Sequence, residues 1–576
     1  MTLTRAQRLD RLRRKKRAQV LVVGGGINGI ATWRDLALNG VDVVLVERVD
    51  FMSGASSAPS RMIHGGLRYM ENGEFELVRE SLGERNLLLA NAPHLITPLP
   101  TLIPITSRFS GIWAAARRFL GGNVAPGERG ALIVKIGLTL YDLYAGRSTG
   151  MPRHRFFGRA ETRQRWPELR PDVVAGAVYY DAKISQPERL GIEMIIEGEE
   201  GDSALALNYV ALTLLTDGGA LLEDKLTGET IQLDADIVVN ASGAWIDLTN
   251  AAVTENAPQL IGGTKGSHIV IDNDRLRKAL GKEMVYFANS EGRVCVMFNH
   301  LGNVLAGSTD ISVSSPEGIR CEPAEVDYIL ASIREVFPNI SIGEDEIVYR
   351  FAGVRPLPNS AGKMNANISR DHSCEWLEES AGSARPVLNL VGGKWTTFRA
   401  FGEQAADKVL ARLGKGRRTS TANLKIGGGN GYPFSQAWGS GRTLLARYGT
   451  RADELPDQAS ASLDSLPAYS SDEIEWLIEN EHVVRLADLV LRRLTIAFSG
   501  ELSLAAIEEL SQVAARRLAW DEARRRAEVA DLLDQLETNH GLSAARLEAR
   551  NPDWKEDDVR RPQSPHEPPV RQRQMS

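Results

Sequence analysis

A strand-like run, Val20-Leu-Val-Val23, leads into Gly24-Gly-Gly-Ile-Asn-Gly29 and then into a helix-like stretch from Ile30 to Leu38. A second apolar run, Val41 to Val46, ends in Glu47. These residue types at this spacing bind a phosphate-bearing dinucleotide. Gly24 permits a tight turn, Gly26 lets the backbone approach a pyrophosphate, and Gly29 lets helix and strand pack closely. The helix N-terminus brings unpaired N–H groups and a partial positive charge to the phosphates. Glu47 stands where an acid accepts hydrogen bonds from a ribose, roughly 20 residues on. Instead of a second clear mononucleotide-binding half, the chain continues with Ser53-Gly-Ala-Ser-Ser-Ala-Pro-Ser60 and Ile63-His-Gly-Gly-Leu-Arg-Tyr69. Small hydroxyl residues ending in paired glycines suit backbone wrapped around a large flat cofactor. That favours FAD over NAD.

The elements that must position this turn follow along the chain. Ala235-Asp-Ile-Val-Val-Asn-Ala-Ser-Gly-Ala-Trp245 reads as a buried strand ending in a glycine turn. Ser267–Ile271, Arg293–Phe298 and Val304–Asp310 read as strand segments, giving a mixed sheet set over the cofactor as a substrate cap. Val387-Leu-Asn-Leu-Val-Gly-Gly-Lys-Trp-Thr-Thr397 is a strand into a second glycine turn, followed by a helix to about Leu413. That places a second helix N-terminus where a two-part nucleotide domain is completed. From about Ser471 the pattern turns helical, after a poorly structured join around Gly427 to Pro433. The expected class is α/β: an FAD-binding Rossmann-like domain with a mixed-sheet cap, plus a C-terminal helical domain. The divisions are a basic N-terminal extension (1–18), the oxidoreductase region (19–425), the helical domain (426–545) and a disordered tail (546–576).

Composition limits the function classes. The 576 residues are 43% hydrophobic and 25% charged, which is ordinary for a globular chain. A net charge of −6 gives no reason to expect nucleic-acid binding. Cys295, Cys321 and Cys374 lack metal-ligand spacing and read as buried free thiols in a reducing compartment, and no metal is expected. No apolar run reaches the roughly 18–20 residues that span a bilayer. Two segments fit a membrane surface instead. The basic cluster Arg11-Leu-Arg-Arg-Lys-Lys-Arg17 is either a solvated extension or a contact to anionic lipid. The amphipathic region from Phe109 to Tyr144 suits an interface and a protein core equally well.

Taken together, these blocks resemble the FAD-dependent glycerol-3-phosphate dehydrogenases of the D-amino-acid-oxidase-like fold group. The resemblance runs from about Val20 to Leu410 and more weakly to Leu536. Its motifs are Gly24–Gly29, Ser56–Ser60 with Ile63–Tyr69, Lys265–Val270, Gly353–Leu357, Ile368–Asp371, Gly392–Thr397 and Asp488–Arg493. It implies cofactor contacts from Gly24, Gly26, Asn28 and Gly29, from Glu47, and from Ser56, Ser57 and Ser60. It adds His64, Gly65, Gly66, Ser242, Gly243 and Thr396 to that set. Arg68, Tyr69 and Arg370 match substrate-binding positions, and Arg355, Lys394 and His268 match catalytic ones. Several cations suit a phosphomonoester, since guanidinium binds it bidentately and lysine adds a point charge.

The implied reaction is oxidation of sn-glycerol 3-phosphate to dihydroxyacetone phosphate. Hydride passes to FAD and electrons pass to a membrane quinone. The implied location is cytoplasmic, peripheral on the inner face of the cytoplasmic membrane, with a homodimer as one possible assembly. The alternatives are an oxidase using O₂, turnover of another small anionic hydroxy or amino compound, or a flavin-binding protein without turnover. His64 and His268 are both candidates for the base. Gln186-Pro-Glu188 and the stretch around Gly121 to Ala131 depart from the family pattern and bear on substrate identity.

Overall fold

The computed structural model describes residues 3–67, 74–107, 131–145, 151–201, 203–254, 257–359, 372–378, 383–433, 444–456 and 462–552. Its first sheet is built from the apolar runs. Strand Arg17–Val23 lies between Thr230–Asn240 on one side and Val43–Glu47 on the other, parallel to both. Ala204–Asn208 extends the sheet beyond Val43–Glu47, and Val387–Val391 extends it beyond Thr230–Asn240, again in parallel. Ser373–Leu377 closes that second edge antiparallel. Strands covered on both faces lose the alternation of half-exposed ones. Val43–Glu47 and Ala204–Asn208 are accordingly buried throughout.

Helix Ile27–Leu38 packs against this sheet between helices Pro187–Gly198 and Phe398–Arg412. Close approach depends on small residues. A Cβ on Gly402 would lie 2.8 Å from Ala31 Cβ, and one on Gly198 would meet the buried Trp33 ring at 2.3 Å. The late glycine turn and its helix therefore complete the nucleotide domain.

The second sheet, ten strands among the described residues, forms the cap. Thr264–Ile271 pairs antiparallel with both Asn303–Gly307 and Ile347–Arg355. Ile96–Ile105 and Ala175–Ile184 form its longest pairing. One apolar core joins this sheet to the C-terminal helices: Val270, Phe298 and Phe351 share it with Leu486, Leu510 and Leu536.

Four local expectations change. The basic cluster is not a loose extension, because Arg5–Arg14 is a helix capped by Thr4 and Arg17 opens the first strand; the helix is tied to the fold by ion pairs. Arg5 meets Asp224 at 2.7 Å, Arg8 meets Glu199 at 2.8 Å and Arg13 meets Glu229 at 2.7 Å. The join near Gly427 is structured too, as a single 3-10 turn at Gly427–Gly429. Its Gly428 N–H donates to Glu193 at 3.3 Å, and a Cβ on Gly427 would overlap that same carboxylate at 2.1 Å. Within the region expected to be helical from about Ser471, the segment after Arg485 forms only a short helix, Leu486–Asp488, opening into a π-helical turn, Leu489–Arg493. The expected tail began at 546, but Ala544–Glu548 is a helix that buries Leu547, and only residues from 553 onward lie outside the described ones.

Candidate active site

The carboxyl ends of the parallel strands meet at one crevice. Gly24 follows the first strand, Glu47 ends its neighbour, Ala241 and Ser242 follow Thr230–Asn240, and Gly393 follows Val387–Val391. A cleft of about 780 Å³ opens there, lined by all of these together with Lys394 and Pro356. Open α/β sheets bind ligands at this position, where the chain winds away in opposite directions.

The glycines are needed for space. Gly24 has φ +110°, and a Cβ there would stand 2.6 Å from Ala241 O. A Cβ on Gly29 would stand 1.9 Å from Gly24 O, so no larger residue fits between turn and helix. Gly26 caps the helix with no side chain of its own. Ser56 supplies a hydroxyl in its place, its Oγ accepting from Ile27 N–H at 3.0 Å.

Glu47 is buried and accepts from Gly25 N–H at 2.7 Å and Val49 N–H at 3.0 Å. Burial pushes its carboxyl above the usual range, against those two hydrogen bonds. It therefore shapes the glycine turn while facing the cleft. Asn28 Oδ1 is buried without a hydrogen-bond partner among the described residues, an acceptor held at the cleft wall. Ser242 Oγ donates to Asn240 Oδ1 at 2.6 Å, and Gly243 continues the lining with φ +62°. A large apolar cleft with a few fixed polar groups, beside a side-chain-free helix N-terminus, fits FAD.

Other predicted contacts have different surroundings. Thr396 Oγ1 accepts from His64 N–H at 3.2 Å, tying the second glycine turn to the half-buried His64 loop. Gly65 donates to Asp181 Oδ1 at 2.9 Å and to the Tyr141 hydroxyl at 3.1 Å, while Gly66 has φ +81°. A Cβ on Gly65 would collide with Leu82 and Tyr141 at 2.2 Å, so close packing alone accounts for that glycine. Ser57 turns away from the cleft: its hydroxyl donates to Gly54 O at 3.0 Å, and it borders a separate cavity of about 90 Å³. Ser60 is half-buried at the end of the same segment.

The cap brings Arg355 and His268 together. Arg355 contacts Asp310 at 3.3 Å and Ser308 Oγ at 3.0 Å, and it retains partial exposure. His268 is 3% exposed and stacks on Phe351 with ring centroids 5.1 Å apart. Neither of its ring nitrogens has a hydrogen-bond partner among the described residues. Burial, then the charges of Arg355 and Arg61, push its pKa down to about 3, so the ring is neutral. Arg68, Tyr69 and Arg370 lie outside the described residues.

Some supporting residues had no motif to announce them. Asp181, Tyr141 and Arg85 form a buried cluster behind Gly65, with Tyr141 to Asp181 at 2.5 Å and Arg85 to Asp181 at 3.3 Å. Asn240 donates to Ile246 O, Asn250 and Asn389 at 2.9–3.1 Å, fixing the turn that carries Ser242. The divergent Gln186–Glu188 segment lies at another junction, where Glu188 pairs with Arg61 at 3.0 Å beside the smaller cavity. Among the described residues no cluster could hold a metal ion.

Fold and cleft together define a flavin-dependent oxidoreductase. Residues 19–447 match the family described as FAD dependent oxidoreductase, and residues 419–525 match the C-terminal domain of alpha-glycerophosphate oxidase. A glycerol-3-phosphate dehydrogenase of Synechocystis sp. is 31% identical over 560 residues, covering 90% of this chain and 96% of the relative. An aerobic glycerol-3-phosphate dehydrogenase of Bacillus subtilis is 29% identical over 545 residues, covering 88% and 92%. The glycerol-3-phosphate dehydrogenase structure from Bacillus halodurans, complexed with FAD, superposes with a TM-score of 0.70 at 23% identity, covering 93% and 98%. The chain belongs to the FAD-dependent glycerol-3-phosphate dehydrogenase family, and FAD is its cofactor.

Proposed function

We propose that the protein oxidises sn-glycerol 3-phosphate to dihydroxyacetone phosphate and delivers the electrons to a membrane quinone. The observation that carries this is a pair of cations at the FAD cleft: Lys394, in the turn after Val387–Val391, lines it, and Arg355, at the end of the cap strand Ile347–Arg355, immediately precedes the lining residue Pro356. FAD, when bound, supplies the hydride acceptor. Arg355 and Lys394 hold the substrate's anionic groups and stabilise the oxygen that becomes the carbonyl. Neutral His268 takes the hydroxyl proton on a ring nitrogen. Burial first, and the charges of Arg355 and Arg61 second, make it a weak base in the free protein; a phosphate dianion beside Arg355 offsets only the second of these causes.

Membrane attachment is supported by helix Ala131–Ala145. Leu132, Ile136, Leu140 and Leu143 are all exposed, Leu143 at 76%, and their spacing puts them on one face. No helix among the described residues is long and apolar enough to cross a membrane. The helix thus supports a peripheral position on a membrane surface, which in the proposed reading is the inner face of the cytoplasmic membrane. In the basic N-terminal helix Arg5 and Arg8 are committed to partly buried ion pairs, while Arg13 and Arg14 stay at the surface.

The test is steady-state turnover of glycerol 3-phosphate, glycerol and an amino acid, with a soluble quinone or with O₂ as acceptor. The reading requires dihydroxyacetone phosphate as product, preference for the phosphorylated alcohol, and little peroxide. Stoichiometric peroxide would make O₂ the acceptor, a reading favoured by the match to an oxidase C-terminal domain. Turnover of the unphosphorylated compounds alone would overturn the substrate assignment.

A further inference from the structure

The motif Asp488-Leu-Val-Leu-Arg-Arg493 belongs to the helical domain, yet its two arginines end at the cofactor loop. Asp50 lies three residues beyond Glu47, on the loop whose Arg48, Val49, Ser53 and Gly54 line the FAD cleft. Arg493 grips Asp50 through both guanidinium nitrogens, at 2.7 and 2.9 Å, and Arg492 Nε donates to it at 2.5 Å. Asn208 adds a fourth donor to Asp50 at 2.9 Å and also donates to His482 O, in the helical domain, at 2.9 Å. The far side is equally fixed. Asp488 accepts from Arg492 at 3.0 Å and from the Tyr209 hydroxyl at 2.5 Å, while Tyr209 N–H donates to Val49 O at 2.9 Å. Asp50, Asp488 and Arg493 have side chains with no solvent exposure. The π-helical turn puts both neighbouring arginines on one carboxylate.

We propose that the helical domain is a cofactor-retention clamp: Arg492 and Arg493, through Asp50, hold the Glu47–Ser56 loop in its FAD-binding shape. Asp50 and the arginines are positioning residues, since none of them is part of the cleft lining. Coupling of this kind is reciprocal, so bound FAD also tightens the docking of residues 481–494. The inference rests on FAD occupying the cleft and is independent of the substrate.

The experiment compares FAD loss from the full-length wild type, Asp50→Asn, Arg493→Lys and Arg447→Lys, followed by the fluorescence of released flavin. Arg447 pairs with Glu473 at 2.8 Å within the helical domain, so its variant loosens that domain without touching Asp50. The clamp requires FAD release at least about fivefold faster in the Asp50 and Arg493 variants, the lower end of ordinary coupling. Arg447→Lys must stay near wild type despite a comparable loss of thermal stability. Unchanged release in the first two variants, or equal acceleration in all three, overturns the proposal. A measurement on wild type needs no variant to fold. Hydrogen exchange at residues 481–494 must slow when FAD is added to the apoprotein, and exchange that ignores FAD there overturns the clamp. A wild type that never binds FAD would instead contradict the cofactor assignment, a result distinct from either.

Discussion

Single residues at this site act through space and charge. Gly29→Ala would force a Cβ against Gly24 O at 1.9 Å, so the turn and the helix must part. The expected outcome is protein purified with little or no flavin, read from its visible spectrum; a fully flavinated variant would show that the close approach is dispensable. Lys394→Met should keep its flavin and lose about 10²–10³ in kcat, the usual cost of one fixed donor to a developing oxyanion. A kcat within a few-fold of wild type would remove Lys394 from the chemistry. His268 offers a pH test. Its pKa falls from 6.5 unfolded to about 3 folded, so the unfolded chain binds the extra proton in that window. Stability from this residue is present above pH 6.5 and drains as pH falls towards 3, by up to about 1.4 kcal/mol per pH unit. The pH dependence of chemical denaturation should be shallower in His268→Asn by that amount, and identical slopes would contradict a buried neutral ring.

At the scale of elements, the strand–glycine–helix order was legible because each part has a local cause. Val20–Val23 is apolar because both faces are covered, and Gly24 and Gly29 are required by contacts that no side chain allows. The late strand Val387–Val391 with its turn and helix was legible for the same reason. The basic helix Arg5–Arg14 was not, since its acids come from positions 199, 224 and 229, and periodicity does not record which charge meets which. Helix Ala131–Ala145 shows an apolar period that fits core and interface alike, and the structure shows both kinds of face: Val134, Leu138 and Tyr141 are buried in the core while others stay exposed. Ile136 and Leu143 are 54% and 76% exposed. Ile136→Glu with Leu143→Glu should abolish sedimentation with anionic vesicles in high salt, leaving flavin content and turnover with a soluble acceptor intact. Undiminished vesicle binding would assign membrane contact to another surface.

In the molecule as a whole, the cap and the helical domain share a core. Apolar side chains of the cap sheet and of the helical domain form a single buried cluster, and Tyr349 of the cap stacks on His540 at 4.4 Å. Buried ion pairs complete the junction, with Arg189 to Glu481 at 2.6 Å and Arg493 to Asp50 at 2.7 Å. Removing one partner of such a pair costs about 3–5 kcal/mol. Calorimetry of the FAD-loaded protein should therefore show one cooperative transition. A separate low-temperature transition of the helical domain would contradict a shared core. This organisation was the least legible part of the sequence, where residues 426–545 read as a helical domain of unassigned role. The contact that gives it one, Arg493 on Asp50, spans 443 positions.

In the proposed function, FAD in this cleft takes hydride from C2 of glycerol 3-phosphate. The most direct measurement is an anaerobic titration of the FAD-loaded protein with that compound, following the oxidised-flavin absorbance. Bleaching should be complete at one equivalent or a small excess, slow several-fold with deuterium at C2, and nearly vanish in Arg355→Ala. Flavin that stays oxidised with excess substrate would contradict the assignment of the reaction.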